Sequence, residues 1–474
     1  MSDTDFVVTF ENFEDGFSPL AHIDNKTFKG SKGQASEMKA DVISNPGFIQ
    51  QSPALADLTN GNQAGVVTEP IRFILDKPTA SDTTFAVGTT KLFKLSSTTV
   101  ANSSPWPRSI SGMTQGESIV RLKSNLYVLY NRASDGEIAS MNLSSETINP
   151  NWGTQNDMGL EKAKHPVAAK EDIMVFGNGR YLGVYIEGAG VLDTQRLDFG
   201  EGAEVADVVF HANMWWIAVN YGEGRRSQIY LYDGSAMSNI LSDEVGLGSQ
   251  KIGFLYVLNG IVYVAYDDLT ADGFAIGWVS GRQIKPLRYF SGTLPDHRQK
   301  TLYKSTILFV SGSDIYSFGA PVEQLPIQIS RLTSGGYANV EGIAAPFGTP
   351  MVASYSGSNY RLAKFSGLST SSNWKSVFVD VTKNRSLGKI HTVIVNTKAL
   401  SSGARADLTI EGNQGSKTSN TMQITGANKT RHVFRTINLP AVEDMRVIVD
   451  YQNGSTSNNC PIRKIVCLGN FVER

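Results

Sequence analysis

Almost nowhere along these 474 residues do apolar side chains recur at the 3.6-residue period of a helix. Short alternating or continuous apolar runs recur instead, each closed by Gly, Asn, Asp or Ser. Side chains of a strand point alternately to its two faces, so this pattern confines the chain to all-β architectures. The 45 glycines fit such a chain, because its many turns need residues that tolerate positive φ. Disorder and coiled coil are excluded by 41% hydrophobic residues and by charged residues at 18%, below the usual ~25%.

The clearest unit spans residues 118–143. Ile119, Val120 and Leu122 form one strand, Lys123-Ser124-Asn125 a turn, residues 126–130 a second strand and residues 136–143 a third. The same grammar returns at residues 205–234, and again at 253–279, where Asn259-Gly260 is a strong two-residue hairpin signal. Fainter copies lie at residues 72–95, 173–197, 302–318 and 340–365. A spacing of mostly about 35 to 50 residues is the period of propeller blades. A meander of three or four strands cannot bury both faces alone, and radial packing solves this. The expected architecture is therefore all-β: an irregular β-propeller of about seven blades over residues 70–367, with stacked β-sandwiches as the competing arrangement.

Residues 1–69 read as an extended N-terminal arm containing one strand at residues 6–10. Such a segment either donates a strand that closes the ring or reaches a neighbour. Its phenylalanines Phe6, Phe10, Phe13, Phe17, Phe28 and Phe48 are candidate interface residues, since each is worth ~1.5 to 3 kcal/mol when buried. Residues 368–373 are a polar linker. Beyond it, seven strands in about 100 residues predict a C-terminal β-sandwich or jelly roll over residues 374–474. The charge changes at the same place. From Trp374 onward there are 14 Lys and Arg against 7 Asp and Glu, a net of +7 that leaves −8 for the rest. This asymmetry also predicts a domain boundary.

Motifs for chemistry are sparse. The six histidines are isolated from each other and from Cys460 and Cys467, and no His-Glu-x-x-His or Cys-x-x-Cys occurs. The two cysteines read as free thiols. Gly-x-Ser-x-Gly is missing, and Ser311-Gly312-Ser313-Asp314 reads as a hairpin tip. Gly222 to Arg226 is a loop between strands and matches no phosphate-cradling motif. Asp267, Asp268 and Asp272 lack the order of a calcium loop. Asp207, Asp233 and Glu341 are carboxylates a glycosidase could use, although no sialidase Asp-box is present. Adjacent Trp215 and Trp216 must face opposite sides of their sheet. Lys429, Arg431 and Arg435 could attract phosphate, with a solvated face as the plainer reading. No catalytic residue, cofactor or metal site is expected. The N-terminus lacks the basic and apolar regions of a signal peptide, and no run approaches the ~18 apolar residues of a membrane span.

The leader contains Phe10-Glu-Asn-Phe13-Glu-Asp-Gly16-Phe17-Ser-Pro19 and Gly47-Phe48-Ile49-Gln50-Gln51-Ser52-Pro53-Ala54-Leu55. With the meanders and the end domain, this arrangement resembles structural proteins of tailed bacteriophages, of the tail nozzle or tail-tip type. The resemblance implies a non-enzymatic virion subunit, assembled in the host bacterial cytoplasm. It would act as a homo-oligomer with other virion proteins around or near the DNA channel, with non-specific contact to packaged DNA. Two other readings remain: a glycan-binding or glycan-cleaving propeller, and a cytoplasmic interaction scaffold.

Overall fold

The computed structural model describes residues 4–473 apart from 12, 14–34, 42–46, 62–64, 81, 151, 153–157, 159–162, 223–226, 235–236, 240–250, 269–272, 282, 305, 319–328, 334–336 and 384. Among the described residues the chain is all-β, built from antiparallel sheets with no α-helix. Six successive sheets each consist of four strands that follow one another in sequence. The first begins at Ile71–Ile74, the second at Gln115–Leu122, the third at Val167–Lys170, the fourth at Ala203–His211, the fifth at Ile252–Leu258 and the sixth at Lys300–Tyr303. The seventh takes three strands from Val340–Ala344 to Asn359–Leu368 and its fourth, Pro53–Asp57, from the N-terminal segment.

Tight hairpins set this pattern. Asn259 and Gly260 both have positive φ, 51° and 77°, as a two-residue turn matching the strand twist requires. Ala212 and Asn213 do the same at 50° and 61°, without a glycine. Both faces of most sheets are apolar because each packs on a neighbour. Val175 and Leu182 of the third sheet meet Trp215 and Ile217 of the fourth. Ala218 and Ile229 meet Leu255 and Val264 of the fifth. Trp215 and Trp216 thus lie in different inter-sheet cores, Trp216 half-buried with its indole N–H donating to His211 O at 3.2 Å. The seventh sheet packs on the first through Ala344, Met351 and Leu362 against Ile71, Ile74 and Phe93. Close approach is enforced by glycine at one such junction. A Cβ on Gly177 would lie 2.8 Å from Pro166 Cδ and 2.9 Å from Val205 Cβ of the fourth sheet.

A separate core lies between two further sheets. One has four strands, with Phe6–Glu11, Ile462–Val472, Leu387–Thr397 and Arg431–Phe434 side by side. The other has eight and includes Gln50–Gln51 and Ala35–Asp41 beside Asn373–Ser376, Asp444–Asp450 and Arg405–Gly412. Trp374, Phe10, Phe13, Tyr451, Val395 and Val447 fill the space between them, with the thiols of Cys460 and Cys467 free and buried there.

Within residues 1–69 the described strands pair with other strands of the same chain. They belong to both units: Phe6–Glu11, Ala35–Asp41 and Gln50–Gln51 to the C-terminal sheets, Pro53–Asp57 to the seventh. The physical reason is the unpaired edge, since each receiving strand would otherwise leave a row of backbone donors and acceptors open. Residues 368–373 are also more than a tether. Ser369 N–H donates to Ser52 O at 2.8 Å, Ser52 N–H to Ser372 Oγ at 2.8 Å and Tyr451 N–H to Ser372 O at 3.0 Å. The chain passes between the two units twice, and the two passages hold one another.

Candidate functional site

The six candidate phenylalanines part company in the structure. Phe10 and Phe13 are buried, 5.7 and 5.1 Å from the Trp374 ring in edge-on contact, which removes any need for a neighbour to cover them. Phe6 is half-buried and lies 5.2 Å from Phe471. Phe48 is half-buried with Lys398 Nζ 4.7 Å from its ring centre. Phe17 and Phe28 lie outside the described residues. The exposed apolar side chains near this edge are Val7, Val433 and Val472, at 57%, 41% and 40%. The alternation in Phe6–Glu11 marks which residues face out, but the aromatic count drew attention to those that face in.

Among the described residues a cluster of buried and half-buried charge sits between the seven-sheet unit's first strands and the loop 296–298. Arg72 Nη2 lies 3.5 Å from Glu117 Oε1, and Arg72 Nη1 lies 3.9 Å from Glu341 Oε2. Arg298 Nη2 meets Asp296 Oδ2 at 2.6 Å, and its Nη1 stands 3.9 Å from Glu117 Oε2. Burial raises the Glu117 carboxyl, opposed by Arg298 and Arg72. Burial would also raise Asp296, but the charge of Arg298 overrides it and holds the carboxyl far below its usual range. Burial pushes His297 down to about 3, against the attraction of Asp296. Beside them Lys300 pairs with Asp207, which also accepts from the amides of Leu255 at 2.7 Å and Val208 at 2.9 Å. Asp76 Oδ1 accepts from Thr301 Oγ1 at 2.7 Å and from Ala345 N–H at 2.8 Å, tying first, sixth and seventh sheets together. No local motif signals this network, because its members come from residues 72 to 341 and meet only through packing.

The carboxylates considered for sugar chemistry have different surroundings. Asp207 is buried beneath Lys300, Glu341 is on the seventh sheet and Asp233 borders a different cavity. That cavity, about 190 Å³, lies between third and fourth sheets with Ile173, Val184, Val191, Trp215 and Tyr232 around it. Its wall is fixed by Tyr232, whose hydroxyl donates to Gly234 O at 2.7 Å and accepts from Arg196 Nε at 3.2 Å. Asp267 and Asp268 end a strand, and Asp272 lies outside the described residues, as do Glu223 to Arg226. Ser311 and Asp314 pair across a hairpin, with Ser311 Oγ donating to Thr293 O at 2.8 Å. Among the described residues no group of three or more His, Cys, Asp or Glu is arranged to hold a metal ion. No helix there is long and apolar enough to cross a membrane.

A larger groove of about 760 Å³ opens on the C-terminal unit. Phe48, Asn396, Thr430, Arg431, Arg463 and Lys464 line it together with Glu11. Adjacent strands put Arg431 opposite Asn396, Asn396 opposite Lys464 and Lys464 opposite Glu11. Lys464 Nζ and Glu11 Oε2 are paired at 2.7 Å. Of the basic residues noted in the sequence, Arg431 is brought to the groove, while Lys429 and Arg435 are not among its lining.

No protein-family model matches the chain, and no curated protein matches it. Solved structures resemble it in shape at low identity. The extracellular domain of a hybrid two-component system from B. thetaiotaomicron has a TM-score of 0.48 at 12% identity, covering 81% of this chain and 47% of that one. PorZ, a surface component of the type-IX secretion system of Porphyromonas gingivalis, gives 0.42 at 14%, covering 80% and 46%. An exo-β-1,3-galactanase from Phanerochaete chrysosporium gives 0.31 at 10%, covering 88% and 99%. The chain spans about half the length of the first two. Likeness at this level carries no argument about activity.

Proposed function

We propose that the seven four-stranded sheets form a seven-bladed β-propeller closed by Pro53–Asp57, joined to a β-sandwich. We further propose that the chain is a non-enzymatic structural subunit of a tailed-phage virion, placed in the tail and working through oligomeric assembly. One observation supports the scaffold reading: acidic and basic groups between the sheets are paired with one another. Arg72 with Glu117, and Lys300 with Asp207, join the first strands of different sheets, and Arg298 with Asp296 brings the loop 296–298 to them. Pairing of this kind contributes position more than net stability. The N-terminal strands support the same reading, since a chain threaded through both units resists relative motion, as an assembly part under load must.

Native mass measurement with electron microscopy tests this proposal. Rings or tubes of several copies are expected. A monomer of 51.5 kDa at every concentration tried, with reproducible turnover of a glycan, would sink it and promote the glycan-cleaving reading.

A further inference from the structure

We propose that the groove on the C-terminal sheets is a binding site for phosphate diesters, with an extended nucleic-acid strand as its occupant. The inference rests on the groove alone and does not depend on the assembly reading.

Charge is the first argument. Arg431, Arg463 and Lys464 line the groove and Lys398 borders it over Phe48, whereas Glu11 is the lining carboxylate, paired with Lys464. Among the described residues Arg431 and Arg463 have no ion-pair partner, and both are exposed. The guanidinium fork suits tetrahedral phosphate oxygens, and a local excess of cations attracts a polyanion by releasing its counterions. Shape is the second argument. A volume near 760 Å³ exceeds the need of one inorganic ion and admits a chain bearing more than one phosphate. The neutral donors are the third: Asn396 and Thr430 can hydrogen-bond ester or sugar oxygens, while Phe48 offers an apolar wall. No forked pair is aimed at a base edge, so the contact positions a backbone and reads no sequence.

Anisotropy titration of the full chain with a labelled single strand of about 20 nucleotides tests the site at several salt concentrations. Binding is expected to weaken with salt, each phosphate contact contributing about −0.7 to the logarithmic slope. Arg431→Ala with Arg463→Ala should weaken binding about tenfold and make the slope shallower by about 1.4. Arg431→Lys with Arg463→Lys should keep most of the slope, and Lys417→Ala, on a separate strand, should change nothing. Equal melting temperatures would show that the exposed substitutions leave the fold intact. Unchanged affinity in the double alanine variant overturns the proposal. So does binding of heparin without binding of the oligonucleotide, which would assign the groove to sulfated glycans.

Discussion

Arg361 grips Asp57 across 304 residues of sequence, Nε donating to Oδ1 at 3.1 Å and Nη2 to Oδ2 at 2.8 Å. Tyr337 adds its hydroxyl to Oδ1 at 2.9 Å, and the guanidinium lies 4.2 Å from the Tyr337 ring centre. These contacts fasten the N-terminal strand to the last sheet. The pair is about a quarter exposed, so solvent screening limits its worth to about 1–2 kcal/mol. Asp57→Ala should therefore lower the melting temperature modestly and raise hydrogen exchange first at Leu55 to Asp57. Uniform loss of protection across all seven sheets would show that this strand does not open on its own.

Phe10 and Trp374 make the second prediction. Each truncation to Ala should cost about 3–5 kcal/mol, because neither site can collapse around the void between two sheets. Near-ultraviolet circular dichroism should lose the Trp374 signal in Phe10→Ala. A normal melting temperature and unchanged spectrum in that variant would place Phe10 outside the core. For the same reason, deleting residues 1–69 should unfold the C-terminal sheets instead of yielding a trimmed, folded subunit.

Acid should destabilise the protein through two buried imidazoles. Burial lowers His165 to about 4 and His297 to about 3, both below the ordinary 6.5. Between those values and 6.5 the unfolded chain binds more protons, so stability is complete above about pH 6.5 and falls as pH drops. At pH 5 each contributes a loss of about 2 kcal/mol. Burial raises Glu117, which has the opposite sign and recovers part of this loss. Melting curves of His297→Gln between pH 7 and 5 should be flatter than those of the wild type. An equal slope would remove His297 from the acid response.

Limited proteolysis should spare residues 369–372, whose backbone is held by Ser52 and Tyr451. The exposed turn Gly188 to Gly190 is a better target. First cleavage at Ser371 would mean that the double passage opens readily in solution.

Strand content was legible in the sequence wherever alternation met a turn residue. The unit at residues 118–143 reappears as the strands Gln115–Leu122, Asn125–Asn131 and Gly136–Asn142, and Asn259-Gly260 adopts the backbone its composition predicts. These are local matters of side-chain period and φ preference, settled within a few residues. The destination of Phe6–Glu11 was not legible. Phe6–Glu11 reads as a strand, but nothing within it says that Ile462–Val472 is its partner, because pairing depends on edges left open more than 450 residues away. The buried charges follow the same rule. Arg72, Glu117, Asp296 and Glu341 look like ordinary surface residues in sequence, and only packing makes them neighbours, with Glu117 buried among partners that keep some exposure. The sequence by itself determined the kind of strand and turn at each place, through short-range sterics and hydrophobic alternation. Tertiary structure decided which edges met and which charges became neighbours, since those depend on surfaces that exist only after the sheets have formed.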